Sequence, residues 1–200
     1  MKNKLLALST LIIMLMAFAG CGSRAALNQR HFLLEPSRNI PQQKTAKNII
    51  LDIKSFNIDR PFSAKSFVYR KSQAEYETDF YNQFLISPDD MITEKTRIWL
   101  TRSGLFKSVL EPGSYASPTH VLEGNIMALY GDFRDMANPK AAMSIRFFVI
   151  KLLDKDTVFG KTYDAQSKVE SKNAESLVKA FDECLANILA NLENDLNGQL

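Results

Sequence analysis

Two neighbouring stretches, residues 121–133 and 141–153, constrain this chain more than any other feature. Both are long and rich in residues that favour extended backbone, and Asn138-Pro139 stands between them as a turn signal. The pattern predicts one large antiparallel hairpin. In the second arm Met143, Ile145, Phe147 and Val149 fall on one face, and Phe148, Ile150 and Leu152 on the other. A strand apolar on both faces is expected at the centre of a sheet, covered on two sides.

Shorter β patterns surround this hairpin. Phe32-Leu33-Leu34 begins a first strand that Glu35-Pro36-Ser37 stops. Ile49, Leu51 and Ile53 alternate with Asp52 and Lys54, the mark of a half-buried strand, and Asp59-Arg60-Pro61 ends that unit. Residues 67–70 and 75–84 read as a second hairpin turning near Gln73. Residues 105–110 read as a strand closed by Glu111-Pro112-Gly113, and 157–163 continue the sheet.

Two helices complete the reading. Ser87-Pro88-Asp89-Asp90 opens the first: Ser87 is placed to cap free N–H groups, Pro88 suits the first helical position, and the carboxylates meet the positive end of the dipole. Met91, Ile92, Lys95, Ile98, Trp99 and Arg102 share a face, and Gly104 is placed to end it. The second helix starts near Asn173. Leu177, Phe181, Cys184, Leu185, Ile188 and Leu192 follow helical spacing, with Glu, Lys and Asp expected outside. The fold class expected is α/β: a single-domain sandwich in which a mixed β-sheet is covered by two main helices.

The first thirty residues have a different character. Lys2 and Lys4 precede an apolar run over 5–18, too short for a comfortable membrane span of about 20 residues. Ala19-Gly20-Cys21 follows at once. The stretch Phe18-Ala19-Gly20-Cys21 resembles a lipobox, in which the cysteine thiol receives a diacylglyceryl group and cleavage falls between Gly20 and Cys21. Residues 1–20 are therefore read as a lipoprotein signal peptide, 21–30 as a lipidated tether, and 31–200 as one domain. A lipoprotein cysteine carries two or three acyl chains of the palmitate class. One chain alone gives marginal binding, so two or three make the attachment effectively permanent. Extended, the tether spans at most about 30 Å, at roughly 3.5 Å per residue. The position after Cys21 is Gly22 rather than Asp, which by resemblance to enterobacterial sorting favours the outer membrane over the inner one. The expected location is the envelope, lipid-anchored and facing the periplasm.

Composition closes off several function classes. The precursor carries net charge +3, and removal of Lys2 and Lys4 leaves 23 basic against 22 acidic side chains. No Lys/Arg block remains to hold nucleic acid. Lipidation consumes Cys21, so Cys184 has no disulfide partner and is expected to pack as a small hydrophobe. Gly160-Lys161-Thr162 resembles the end of a phosphate loop, but the glycine required five positions earlier is Lys155, and the triplet lies inside a strand pattern. His31 and His120, the only histidines, have no Cys or second His at ligand spacing. No serine sits in a Gly-x-Ser-x-Gly elbow. An enzyme is not expected, and neither a metal nor a cofactor beyond the lipid on Cys21. Phe62, Phe67, Tyr69, Tyr76, Phe80, Tyr81 and Phe84 crowd one region. Core packing accounts for most of them, and the remainder are candidates for an apolar contact surface.

A family resemblance enters on a diffuse set of residues. They are His31-Phe32-Leu33-Leu34-Glu35-Pro36, Phe67-Val68-Tyr69-Arg70, Ile98-Trp99-Leu100, Ser103-Gly104-Leu105-Phe106, Leu122-Glu123-Gly124 and Leu129-Tyr130-Gly131-Asp132-Phe133, followed by the closing helix. In order and spacing they resemble the auxiliary lipoprotein component of ABC-type transport systems, the paraquat-inducible protein C-like group. Tyr81-Asn82-Gln83-Phe84 departs from it, since many members carry an Arg-Trp pair there. The resemblance implies an anticodon-binding-like α/β sandwich and a non-enzymatic periplasmic subunit. Such a subunit works beside an ABC permease, an ATPase and a mammalian-cell-entry domain protein that together move lipids or other hydrophobic molecules. It points to Arg60, Phe62, Phe67, Tyr69, Arg70, Tyr130, Asp132 and Phe133 as partner contacts, and a homo-oligomer is compatible with it. The rival readings are a lipoprotein regulator of peptidoglycan synthesis, which calls for a longer tether, and a stand-alone lipid-binding chaperone.

Overall fold

The computed structural model describes residues 28–200. The expected signal peptide with its cleavage site at Gly20 and Cys21, and most of the expected tether, lie outside the described residues. Along the chain come β1 (Arg30–Phe32), β2 (Lys47–Ile53), β3 (Asn57–Ile58), a single 3₁₀ turn (Arg60–Phe62), β4 (Ser66–Arg70) and β5 (Tyr76–Phe84). Then follow α1 (Pro88–Ser103), β6 (Phe106–Val109), β7 (His120–Asp132), β8 (Lys140–Lys151), β9 (Asp156–Lys168) and α2 (Ala174–Gln199).

Strand β7 is the spine of one mixed sheet. Along one edge it pairs antiparallel with β8, from His120 opposite Lys151 to Asp132 opposite Lys140. This is the long hairpin the sequence predicts. β8 pairs onward with β9. The other edge of β7 is shared end to end by three parallel strands: β2 near Val121, β3 near Ile126 and β4 at Gly131 and Asp132. β6 extends the sheet from β2, β5 from β4, and β1 from β5.

Both helices pack on the same face. α2 lies over β8 and β9, while α1 lies against β6 and touches α2. Leu177, Phe181, Cys184, Leu185, Ile188 and Leu192 are all buried, as their spacing predicts. They meet Met143, Ile145, Phe147 and Val149 of β8, also buried, in one continuous core. Phe147 stands edge-on to Phe56 and Tyr163, with centroids 5.6 and 6.1 Å away. Phe56 approaches so closely because Gly124 lies beneath it: a Cβ there would sit 2.7 Å from the ring. The segment from Leu34 to Arg38 straps both helices together. Its Leu34 N–H points at Met91 Sδ (3.3 Å), its Glu35 N–H donates to Asp182 (2.6 Å), and Arg38 reaches Glu193 (2.7 Å).

Four expectations are corrected. Ser87 does precede the first helical turn, but its hydroxyl donates to Asp90 Oδ2 (2.5 Å) and caps no backbone N–H. The buried face of α1 includes Thr96, Arg97 and Leu100, whereas Ile98 is half-buried and Arg102 exposed. Thr96 satisfies its hydroxyl on Ile92 O, and Arg97 spends its guanidinium on Leu110 O and Ile53 O, so both can sit inside. Glu193 is buried rather than outside, because Arg38 and the Trp99 indole N–H bind its carboxylate. Finally, β8 is central but covered on one face only. Phe148 and Ile150 are half-buried and Leu152 is exposed. Their cover comes from neighbours within the sheet, with Phe148 lying over Gly160, and the polar Arg146–Thr162 pair beside it faces water (3.0 Å).

Candidate contact surface

The open sheet face carries one organised cluster. The 3₁₀ turn folds Phe62 onto β7, where its ring stacks on Tyr130 at 5.9 Å with 22° between planes. Tyr76, at the start of β5, meets both rings edge-on, at 5.7 Å from Tyr130 and 6.5 Å from Phe62. Phe62 is buried, while Tyr76 remains 45% exposed. Three aromatic rings thus form a small wall on a face that no helix covers.

A cation completes the cluster. Arg70 ends β4, directly opposite Asp132 of β7. Its guanidinium lies 5.6 Å from the Tyr76 ring centre and 5.9 Å from that of Tyr130, within cation–π range. It also donates to Ser72 O (3.3 Å) and Gln73 O (3.0 Å), which fixes the turn joining β4 to β5. Asp132 takes a two-pronged pair from Arg134, at 2.9 and 2.6 Å, and Arg134 in turn donates to Gln73 Oε1 (3.3 Å). Hydrogen bonds from Arg134, aided by the charge of Arg70, hold the Asp132 carboxyl below the usual carboxylate range. The cluster therefore presents an aromatic surface edged by two arginines and one carboxylate that stays ionised.

The sequence-predicted contact residues divide between the two faces. Phe62, Arg70, Tyr130 and Asp132 come together on the open face. Arg60 is exposed at the head of the 3₁₀ turn, beside Phe62. Phe67 is buried on the helix side, 4.7 Å from Phe84 and 5.4 Å from Phe32. It supports the sheet from below and presents nothing to a partner. Tyr69 and Phe133 also face the helices, edge-on to each other at 5.3 Å. They line a separate cleft of about 350 Å³ with Lys71, Asp79 and Leu177. There the Tyr69 hydroxyl donates to Asp79 (2.6 Å), and burial together with that carboxylate pushes its pKa upward. Residues two apart on a strand share a face, so Arg70 and Tyr69 had to separate. Arg134 was missed as a site residue, and Tyr76 stood out only as one of the crowded aromatics, not as a partner of Arg70 and Tyr130. Each takes its place through pairing between distant segments, which no local pattern in the chain marks.

Other candidate chemistry is accounted for structurally. Lys161 lies within β9 and pairs with Asp195 of α2 (2.7 Å). Cys184 is fully buried with its sulfur 3.7 Å from Ala141 O, and burial pushes the thiol up to about 12. His120 is half-buried and bonded to Thr119 (3.0 Å), its pKa lowered by burial and then by Lys151. Among the described residues no group of three or more His, Cys, Asp or Glu is placed to hold a metal, and no helix is long and apolar enough to cross a membrane. A cleft of about 700 Å³ at the tip of the long hairpin is lined by Asp132, Arg134, Asp135, Asn138, Lys140, Gln166 and Lys168. Its lining is charged and polar, unlike that of an acyl-chain pocket.

Neither a family model nor a curated protein matches this chain. Solved structures do. The crystal structure of a Xanthomonas campestris protein described as DUF330 superposes with a TM-score of 0.69 at 15% identity, covering 86% of this chain and 95% of that one. A second crystal structure, of an uncharacterized protein, gives 0.65 at 12% identity, covering 84% and 99%. At such identities the likeness establishes the fold: a mixed sheet with two helices, shared over nearly the whole length of both relatives.

Proposed function

We propose that this protein is a lipid-anchored, non-catalytic subunit of an envelope transport system of the ABC and mammalian-cell-entry type, held to the outer membrane through Cys21. In this reading its open sheet face docks the mammalian-cell-entry domain protein, which works with an ABC permease and its ATPase on lipids or other hydrophobic molecules. The observation that carries the reading is the aromatic and arginine cluster of Phe62, Tyr76, Tyr130 and Arg70 on a face left uncovered by both helices. Aromatic rings and arginines are the side chains that dominate binding energy at protein interfaces, and here they are held in place before a partner arrives. Nothing in the cluster resembles a nucleophile poised beside a base. The short tether, about 30 Å at full extension, keeps the domain close to the membrane and argues against a regulator that must cross the cell wall.

Purification of the tagged, lipidated protein from membranes, followed by mass spectrometry of what accompanies it, tests this. The three transport components are expected. Recovery of peptidoglycan synthases without them would overturn the transport reading in favour of the cell-wall regulator.

A further inference from the structure

A second apolar feature lies at the opposite margin of the sheet from β6, along the edge strand β1. Phe80 and Tyr81 are each 53% exposed, Leu85 is 48%, and Ile86 and Leu33 are 41%. These five large side chains are brought together by a single pairing. β1 runs parallel to the end of β5, with Arg30 opposite Asn82 and Phe32 opposite Phe84. Gln29 donates to Phe80 O (3.2 Å), which places Phe80 and Tyr81 beside the point where the chain enters β1. The Leu85 N–H donates to Phe32 O (2.9 Å), which places Leu85, Ile86 and Leu33 where β1 ends. Among the described residues β1 is the last strand on this side and has no neighbour beyond it. An unprotected edge lined with large apolar side chains is a liability in water.

The length of chain before β1 indicates what covers the edge. Cys21 stands seven residues ahead of Asn28, the first described residue. Fully extended, that length spans at most about 25 Å. A lipid on Cys21 therefore keeps β1 within one tether length of the headgroups, closer in sequence than any other strand. Charge agrees with this placement. Between Gly22 and Leu34 there is no Asp or Glu, while Arg24 and His31 are present; Arg30 is paired with Glu175 of α2 (2.6 Å), and Lys65 lies beside the patch with its ammonium on Leu85 O (3.0 Å). Basic residues flanking an apolar patch suit a bilayer surface with anionic headgroups. Tyr81 brings an apolar ring with a polar tip, the side-chain type that settles at a membrane interface.

We propose that the β1–β5 edge, with Leu33, Phe80, Tyr81, Leu85 and Ile86, rests in the headgroup layer of the membrane that holds the Cys21 lipid. The anchor then orients the domain as well as tethering it, and this inference rests on the lipidation of Cys21 in the reading above. The test uses the full-length acylated protein in vesicles of phosphatidylethanolamine and phosphatidylglycerol. Nitroxide labels are placed by Tyr81→Cys or Leu85→Cys, with Tyr115→Cys on a fully exposed loop as the control; Cys184 is buried, so one label per chain also reports a folded domain. Labels at 81 and 85 should show an oxygen-to-nickel-chelate collision ratio severalfold above that at 115. Equal ratios at all three sites, with Cys21 acylated by mass spectrometry of the same sample, would overturn the membrane-facing edge alone. Dipolar broadening between labels at 85 on different molecules would overturn it in favour of a second copy covering the edge. A chain recovered without acylation at Cys21 would overturn the anchoring itself, and the edge proposal with it.

Discussion

Glu193 is the side chain whose loss should cost the fold most for its size. It is fully buried, and its carboxylate receives three hydrogen bonds: two from Arg38, at 2.7 and 3.1 Å, and one from the Trp99 indole at 2.8 Å. Glu193→Ala leaves an arginine inside the protein without its counter-ion and an indole N–H without its acceptor. Breaking a buried pair by removing one partner costs about 3–5 kcal/mol, and a stranded donor about 1–3 kcal/mol. Arg38 keeps bonds to Ile40 O (2.6 Å) and Pro41 O (3.2 Å), which places the expected loss near the lower bound, about 3 kcal/mol. With a urea slope of about 2 kcal/mol per molar, the midpoint should fall by about 1.5 M. The assay is urea unfolding of the Cys21→Ser form, followed by the fluorescence of Trp99, the sole tryptophan. Replacing both partners, as Arg38→Met with Glu193→Leu, should recover most of the loss, because no unpaired charge remains. A loss under about 1 kcal/mol, or a double variant no more stable than Glu193→Ala, would refute this view of the strap.

Three further outcomes follow from the core. Gly124→Ala pushes a methyl into the Phe56 ring and should destabilise by about 1–3 kcal/mol in the same assay. Burial raises the Asp182 carboxyl from 3.8 to about 6. At this group the folded state then binds a proton more tightly than the unfolded one, so its contribution to stability should fall as pH rises from 3.8 through about 6, and Asp182→Asn should remove that fall. The lowered carboxyls of Asp79, Asp132 and Asp195 act in the opposite sense below 3.8, and His120, whose pKa burial lowers from 6.5, opposes Asp182 within the same window, so the Asp182 contribution is read as the difference between the parent and Asp182→Asn profiles. Cys184 should resist iodoacetamide at neutral pH until the protein is unfolded, since its thiol is both enclosed and shifted to about 12.

Local periodicity told more of this fold than of its surface. The hairpin of β7 and β8, the α2 face and the Gly104 stop each depend on residues within a few positions of one another, and each emerged from spacing alone. The parallel strands docking along β7 did not, because parallel pairing leaves no turn between its partners. The open face of β8 was misjudged for a related reason. Phe148 and Ile150 are apolar, but Gly160 and Thr157 of β9, opposite them, leave one ring covered by contact across the strands and the other half in water. Glu193 and Arg97 show the same limit for charge: whether an ionisable residue enters a core depends on acceptors and donors far away in sequence, such as Arg38 and Leu110. For the contact surface, the residue types were visible but the face was not. One position along β4 separates Arg70, which joins Tyr76 and Tyr130, from Tyr69, which turns toward α2.

The central claim is that the open face, and not the helix face, meets the partner. The most direct measurement is photocrosslinking in living cells with a benzophenone amino acid in place of Tyr76, which is half exposed at the heart of the cluster, beside the same probe in place of Lys179 on α2. A crosslink from position 76 to the mammalian-cell-entry domain protein, absent from position 179, is the result expected. A crosslink to that protein from position 179 and none from 76 would contradict it.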